Sequence, residues 1–260
     1  TKIGANAFAK SALETVVFET ENLEKIEELA FANNAKLTSV TLPTSGLKTI
    51  GAKAFYGANS LESLTVPATV TSTEYGAFYG AEKLSSLTFA DGDADLVIAS
   101  AADGENGAFG SAYELTELVL PNRLTAIGDY AFYNATKLAG ITFGAQTRIL
   151  SIGKAAFSLC GKNAAISEGF TLTVPGAIAV IGESAFAQAC FTEVVFENGS
   201  AALNIGANAF EACKSLTKLT LPSNLATFGD NATLDCSALT EYVGDNLSEV
   251  TAGGFKAEKG

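Results

Sequence analysis

The stretch from Ile50 to Pro67 reads IGAKAFYGANSLESLTVP and contains the pattern that decides the fold. This pattern recurs along the chain at intervals of mostly 22 to 25 residues, with two longer intervals of 31 and 29 residues. Its aromatic position is filled by Phe8, Phe31, Phe55, Phe78, Phe109, Phe132, Phe157, Phe186, Phe210 and Phe255. Thr233 takes the same position in one further copy. A fixed period in this range is typical of a solenoid, in which each unit buries its apolar side against its neighbours.

The end of each repeat predicts a short strand. Leu64 and Val66 alternate with polar residues, so these two side chains should face the core. Proline lacks an N–H group for a ladder, and Pro67 should therefore end the strand. All five prolines of the chain occupy this position, namely Pro43, Pro67, Pro121, Pro175 and Pro222.

Two further segments complete the repeat. A second short extended piece carries two apolar positions, such as Leu124 and Ile127, and a glycine usually follows it. The next segment, Ala-Phe-x-x-Ala/Cys-x-x-Leu, has apolar residues three and four apart, which predicts one or two helical turns on the outer side. Stacking of such coils should pair their strands in parallel. We interpret residues 1–260 as one elongated domain with insertions near residues 91–106 and 161–169.

Composition excludes several functions. The formal net charge of −12 and only two arginines argue against nucleic acid and anionic membranes as partners. No apolar run approaches the ~20 residues that a membrane helix needs. The chain has no histidine, which removes Ser-His-Asp chemistry and histidine metal sites. Two carboxylates could still serve a glycosidase, but no such pair lies beside a stacking aromatic. We therefore predict no catalytic residues, no metal, no cofactor and no enzymatic activity.

The repeat resembles the BspA-like leucine-rich repeat family, whose pattern reads L-x-x-L-x-L-P-x-x-L-x-x-I-G-x-x-A-F-x-x-C. Residues 205–222 fill every key position, while Thr73, Glu74 and Thr233 depart from the pattern. The resemblance implies a curved right-handed solenoid of about ten repeats of roughly 23 residues. It implies a parallel β-sheet on the concave face and short helices or turns on the outer face. It also implies an extracellular or cell-surface microbial protein that adheres to host proteins or other cells.

Two surfaces are candidates for binding a partner protein. The first is the concave strand face, where we expect threonines to provide shape and charged residues to set specificity. Its candidate residues are Thr41, Thr65, Thr88, Glu117, Thr142, Glu193, Lys218 and Glu241. The alternative is the outer face, where Tyr56, Tyr79 and Tyr133 follow the repeated phenylalanine. Tyrosine is common at interfaces, but it can also simply cover an outer turn.

Two other features have a structural and a functional interpretation. The four cysteines are Cys160, Cys190, Cys213 and Cys236; three of them exchange with alanine in other repeats, which favours buried free thiols over disulfides. Such disulfides would be difficult on a splayed outer side. The acidic run from Asp91 to Asp95, followed by Asp103 and Glu105, is similar to a calcium loop. Leu96 and Ala102 break that pattern, so a solvated acidic loop is favoured.

These observations leave three functional hypotheses. The chain is a binding or adhesion module, the scaffold part of an enzyme whose catalytic domain lies elsewhere, or a structural spacer. The sequence has no methionine, so Thr1 is not a translation start, and we expect the chain to be part of a larger protein.

Overall fold

The structure is a computed structural model that describes residues 1–19, 22–100, 106–145, 148, 150–164 and 170–244. Within these ranges the chain forms ten stacked coils, which we number from the N-terminus. Each coil contains one strand of the Ile-Gly pattern, a turn segment with the aligned aromatic position, and one strand that precedes the proline position. We call these the Ile-Gly strand and the Leu-Pro strand. The copy of the pattern at Phe255 lies outside the described residues.

The ten Ile-Gly strands form one continuous parallel sheet. They are β1 (Lys2–Ile3), β3 (Lys25–Ile26), β5 (Thr49–Ile50), β7 (Ser72–Thr73), β9 (Leu96–Ile98), β11 (Leu124–Ile127), β13 (Leu150–Ile152), β15 (Ile178–Ile181), β17 (Leu203–Ile205) and β19 (Leu225–Phe228). Every coil from the first to the tenth is hydrogen-bonded to the next through this sheet. The second extended piece of the repeat is therefore the main ladder of the solenoid.

The Leu-Pro strands alternate buried and exposed residues as the sequence predicts, with the pattern exposed–buried–exposed–buried in β6. They are β2 (Thr15–Val17), β4 (Ser39–Thr41), β6 (Ser63–Val66), β8 (Ser86–Phe89), β10 (Glu117–Leu120), β12 (Gly140–Phe143), β14 (Thr171–Val174), β16 (Glu193–Phe196), β18 (Lys218–Thr220) and β20 (Glu241–Val243). These strands form separate parallel ladders of four, two and four strands. The ladder is interrupted between β8 and β10 and between β12 and β14.

Both interruptions occur next to a coil with extra residues. The fifth coil carries its insertion before β10, and the seventh coil carries its insertion before β14. In the seventh coil the extra residues directly precede β14, whereas in the fifth coil they lie between β9 and Phe109. The expectation that stacking would pair the strands of every coil therefore holds for the Ile-Gly strands but not for all Leu-Pro strands.

The segment around the aromatic position consists of turns, and the described residues contain no helix. The prediction of one or two helical turns was therefore wrong. Residues two before and two after the aromatic position have positive φ in nearly every coil, as Lys53 (φ 54°) and Gly57 (φ 71°) do in the third coil. Gly107 is the exception. Residues in this left-handed conformation change the direction of the chain, and a right-handed helix cannot contain them at these intervals.

The turn segments also form a hydrogen-bonded ladder between coils. In the third coil the backbone N–H groups of Lys53, Phe55 and Gly57 donate to carbonyl oxygens of the fourth coil at 2.7–2.9 Å. Apolar residues spaced three and four apart therefore arise here from successive turns. A helix produces the same spacing, so the periodicity of apolar residues in the sequence does not distinguish a helix from these turns.

The aligned phenylalanines form a single stacked column inside the solenoid. From Phe8 to Phe210, neighbouring ring centroids lie 5.0–5.4 Å apart and the rings are within 3–9° of parallel. All rings except that of Phe8 are buried. In the tenth coil Thr233 is buried instead, and its hydroxyl group contacts that of Tyr242 at 3.1 Å. The predicted aromatic column is confirmed.

Candidate functional site

The exposed side of the Leu-Pro strands, which we call the Leu-Pro face, carries the candidate residues of the predicted strand face. Thr41, Thr65, Thr88, Glu117 and Thr142 are all exposed, because they alternate with buried residues along each strand. That this face is the concave one stays a prediction.

Apolar side chains are also exposed on this face. Val17 is 63% exposed and Val119 is 62% exposed, and both belong to regular strands rather than to loops. Branched side chains suit a strand, but their exposure leaves apolar area that a partner could cover.

Several cavities lie against the Leu-Pro face. One of about 500 Å³ borders Thr41 and Thr65 in the first four-stranded ladder. Two larger cavities coincide with the interrupted ladders. The β8–β10 cleft, of about 590 Å³, is bordered by Thr88, Glu117 and Val119. The β12–β14 cleft, of about 680 Å³, is bordered by Thr142, Thr173 and Asn198.

Three of the predicted specificity residues form a ladder of alternating charge. The ammonium group of Lys218 lies 3.6 Å from a carboxylate oxygen of Glu193 and 3.2 Å from one of Glu241. The hydrogen bond to Glu241 and the two carboxylate charges raise the pKa of Lys218. These three side chains occupy equivalent positions on paired strands β16, β18 and β20. The single ammonium group is therefore shared by two carboxylates, and one negative charge of this ladder stays uncompensated.

Glu117 differs from the other charged candidates. It is exposed on β10 and takes part in no ion pair among the described residues. Its strand neighbour is Gly140, and a β-carbon at that glycine would lie 3.3 Å from the Glu117 Cγ atom. Glu117 is thus an uncompensated carboxylate at the border of the β8–β10 cleft.

The structure brings together two of the three candidate tyrosines. The rings of Tyr56 and Tyr79 stack with centroids 5.5 Å apart and an interplanar angle of 11°. The Lys53 ammonium group lies 6.0 Å from the Tyr56 ring. Tyr133 makes an edge-on contact with Tyr130 instead, at 5.6 Å. Gly110 occupies the intervening copy of this position, so the tyrosine column is interrupted.

The four cysteines are free thiols in the structure. Those of Cys160, Cys213 and Cys236 each donate to the carbonyl oxygen at the aromatic position of the preceding coil, at 3.4, 3.2 and 3.0 Å. Asn34 fills the same position in the second coil, and its side-chain amide donates to the Phe8 carbonyl at 2.8 Å. The position thus selects small hydrogen-bond donors as well as alanine, a role that exchange with alanine alone did not indicate.

The environment of three of the four thiols does not favour nucleophilic chemistry. Burial raises the pKa of the Cys160 thiol, and it raises that of Cys190 to about 11. A hydrogen bond between Cys213 and Cys236, together with burial, raises the pKa of Cys213, and the same hydrogen bond lowers the pKa of Cys236. Thiolate is the reactive form of cysteine, so Cys160, Cys190 and Cys213 are poor nucleophiles near neutral pH.

Both arginines of the chain contact the first insertion. Arg148 forms an ion pair with Asp95 at 2.6 Å and donates to the Asp93 carbonyl oxygen at 3.0 Å. Within the described residues, no group of three or more histidine, cysteine or acidic side chains could hold a metal ion. Asp103 and Glu105, which belong to the predicted acidic loop, lie outside those residues.

Arg123 is completely buried, and sequence reasoning missed it. Its guanidinium group donates to four carbonyl oxygens, at 2.7–3.3 Å, which belong to Pro67, Val70, Ala90 and Ala94. Burial lowers the pKa of Arg123, and the charge of Asp91 opposes that effect. The scarcity of arginine and the position of this one at the corner after Pro121 were the signals available in the sequence.

The geometry defines a parallel solenoid of the leucine-rich repeat class, with leucines and stacked phenylalanines as its core. The sequence matches six copies of the BspA type leucine rich repeat region over residues 1–96 and 104–240, so the chain belongs to this family. The resemblance stated from the sequence is confirmed. No helix long and apolar enough to cross a membrane occurs in the part of the chain that the structure describes.

Two solved structures illustrate the likeness. The pneumococcal vaccine antigen PcpA is 21% identical, with a TM-score of 0.55 over 95% of this chain and 68% of that chain. A leucine rich cell surface protein from Faecalibacterium prausnitzii is 22% identical, with a TM-score of 0.41 over 95% of this chain and 84% of that chain. At these identities the first likeness supports the fold alone. No curated protein matches this sequence.

Proposed function

We propose that this chain is a non-catalytic protein-binding module of a secreted or surface-exposed bacterial protein. Its partner, which we expect to be a host protein or a protein on a neighbouring cell, docks on the Leu-Pro face. The single observation that carries this proposal is the exposure of regular strands with apolar outward side chains, above all Val17 and Val119. An extended surface of this kind suits protein recognition better than it suits a small substrate.

The absence of histidine supports a role without catalysis. The similar structure of a pneumococcal vaccine antigen supports an exposed location. Three cavities of about 500–680 Å³ border the Leu-Pro face, whereas the two stacked tyrosines form a small patch on the turn side.

The proposal can be tested with two variants that each carry three substitutions. One replaces Thr41, Thr65 and Thr88 together with glutamine, which adds bulk to the Leu-Pro face without charge. The other replaces Tyr56, Tyr79 and Tyr133 together with serine. Both would be immobilised and exposed to a panel of purified extracellular-matrix and bacterial surface proteins in biolayer interferometry.

For a protein that binds the unmodified chain, we expect the threonine variant to lose about tenfold or more in affinity. We expect the tyrosine variant to bind almost as well as the unmodified chain. The opposite ranking would place the site on the turn side, and absence of binding across the whole panel would count against the proposed function.

The charge ladder of Glu193, Lys218 and Glu241 needs a variant of its own. Exchanging Glu193→Lys, Lys218→Glu and Glu241→Lys together inverts the ladder while it preserves every ion pair. If these residues set specificity, this triple variant should fold normally but change the salt dependence of binding. Unchanged binding would remove these three residues from the interface.

A further inference from the structure

The β8–β10 cleft is an opening between two unpartnered strand edges. No ladder joins β8 to β10 in the described chain, although several of their Cα atoms still approach within 8 Å of each other. Strands in a ladder lie about 4.8 Å apart, so an inserted strand would require roughly 9.6 Å between its neighbours. The cleft is therefore too narrow for a complete strand, while its volume of about 590 Å³ leaves room for a side chain.

The charge of the cleft indicates which side chain would fit. Glu117 and Asp91 border it, and no lysine or arginine is among the described residues that line it. The remaining border includes the hydroxyl groups of Ser86 and Thr88, and the edge strands present backbone groups that no ladder uses. The chain as a whole has a net charge of −12. A cationic donor from outside would complement both the carboxylates and the carbonyl groups that no ladder uses.

The chain itself uses this chemistry at the adjoining corner. There the guanidinium group of Arg123 donates to the carbonyl oxygens of Pro67, Val70, Ala90 and Ala94. The planar group provides five donors in a fixed arrangement, whereas an ammonium group provides three on a single atom. Arg123 thus occupies the corner beside the interrupted ladder, and the neighbouring β8–β10 cleft is open.

We propose that the β8–β10 cleft binds an arginine side chain of the partner protein, with Glu117 as its principal anionic contact. This inference rests on the proposed function, because it specifies how a partner would engage the Leu-Pro face. The β12–β14 cleft provides an internal comparison. Among the described residues its border contains one acidic side chain, Glu197, and none of the buried residues beside it is an arginine.

The experiment uses the blocked tripeptide acetyl-Gly-Arg-Gly-amide as a probe of the whole ¹⁵N-labelled chain by NMR. The control peptide carries citrulline, which has the shape of arginine without its charge. The arginine peptide should shift the amide signals of Glu117 and Val119, and the citrulline peptide should do so several-fold more weakly. Glu117→Gln should weaken binding of the arginine peptide about twofold to fivefold, as expected for an exposed ion pair.

Two variants make the result specific. Glu211→Gln removes the same charge from a turn segment of the ninth coil and should leave the affinity unchanged. Thr88→Arg supplies a guanidinium group of the chain's own to the cleft and should abolish binding of the peptide. Thermal melts of all variants would show that each is folded.

The proposal is overturned if the two peptides bind equally, if the shifts lie elsewhere, or if Glu117→Gln and Glu211→Gln behave alike. These outcomes can be separated from failure of the proposed function. A panel protein that needs Thr41, Thr65 and Thr88 but ignores Glu117→Gln would retain the protein-binding function and reject the arginine site. Binding of the arginine peptide without any panel partner would retain the site and weaken the function.

Discussion

The Ile-Gly strands and the Leu-Pro strands come from the same ten coils, yet only the Ile-Gly strands form an uninterrupted sheet. The two breaks between Leu-Pro strands adjoin the fifth and seventh coils, which contain extra residues, while the Ile-Gly ladder and the phenylalanine column continue past them. The stack therefore tolerates extra residues within a coil because the Ile-Gly sheet and the column hold neighbouring coils together. The interrupted face is also the one that offers clefts to a partner.

The strongest test of this difference compares two phenylalanines of the sixth coil. Phe132→Ala removes a ring that is 0% exposed in the middle of the column, and we expect a loss of about 3–5 kcal/mol in the free energy of unfolding. Phe143→Ala removes a half-buried ring at the end of β12, beside an interrupted ladder, and should cost about 1–2 kcal/mol. Chemical denaturation would measure both. Equal losses would show that the Leu-Pro side is as important for stability as the column.

Arg123→Met tests whether the buried arginine holds the interrupted region together. The change keeps much of the side-chain volume but leaves four carbonyl oxygens without this donor. Buried polar groups without partners are costly, so we expect a loss of about 2–4 kcal/mol. Arg148→Met is the matched control, because Arg148 is partly exposed and should contribute less than about 1 kcal/mol. Comparable effects of the two changes would contradict a special role for Arg123.

A smaller effect should distinguish left-handed positions of the turn segments from their neighbours. Ala212 has φ of 55°, whereas Ala207 in the same coil does not have a positive φ. A left-handed alanine is strained, so Ala212→Gly should raise the free energy of unfolding by about 0.5–1 kcal/mol despite the entropy that glycine adds to the unfolded chain. Ala207→Gly should lower it by a similar amount. A loss of stability in both variants would mean that the left-handed turns are not strained.

The smallest expected effect concerns calcium. Asp95 is already paired with Arg148. Leu96 and Ala102 occupy the positions at which a calcium loop requires glycine and glutamate. Millimolar calcium should therefore leave the melting temperature unchanged, in the native chain as well as in Asp93→Ala. An increase of several degrees that disappears in Asp93→Ala would reveal a site at the first insertion.

Much of the candidate site followed from the sequence, because alternation along a strand fixes which residues point outward. Thr41, Thr65 and Glu117 are exposed on the Leu-Pro face as this rule predicts. Alternation does not show which charges pair across coils. Lys218 lies between Glu193 and Glu241 because three strands more than 20 residues apart in sequence are in register. The interruption of the tyrosine column by Gly110 was visible in the sequence, but the stacking of Tyr56 on Tyr79 was not.

The sequence by itself determined the period, the buried column of phenylalanines and the prolines that follow the Leu-Pro strands, since each of these depends on which side of one coil faces the core. The tertiary structure alone decided which strands form the continuous sheet, where the ladder opens and what Arg123 contacts. These features depend on hydrogen bonds between coils, and a local pattern of apolar residues does not predict such hydrogen bonds. The left-handed turns belong to the same group. An apolar spacing of three and four residues suits a helix and a series of turns equally, and the ladder to the next coil selects the turns.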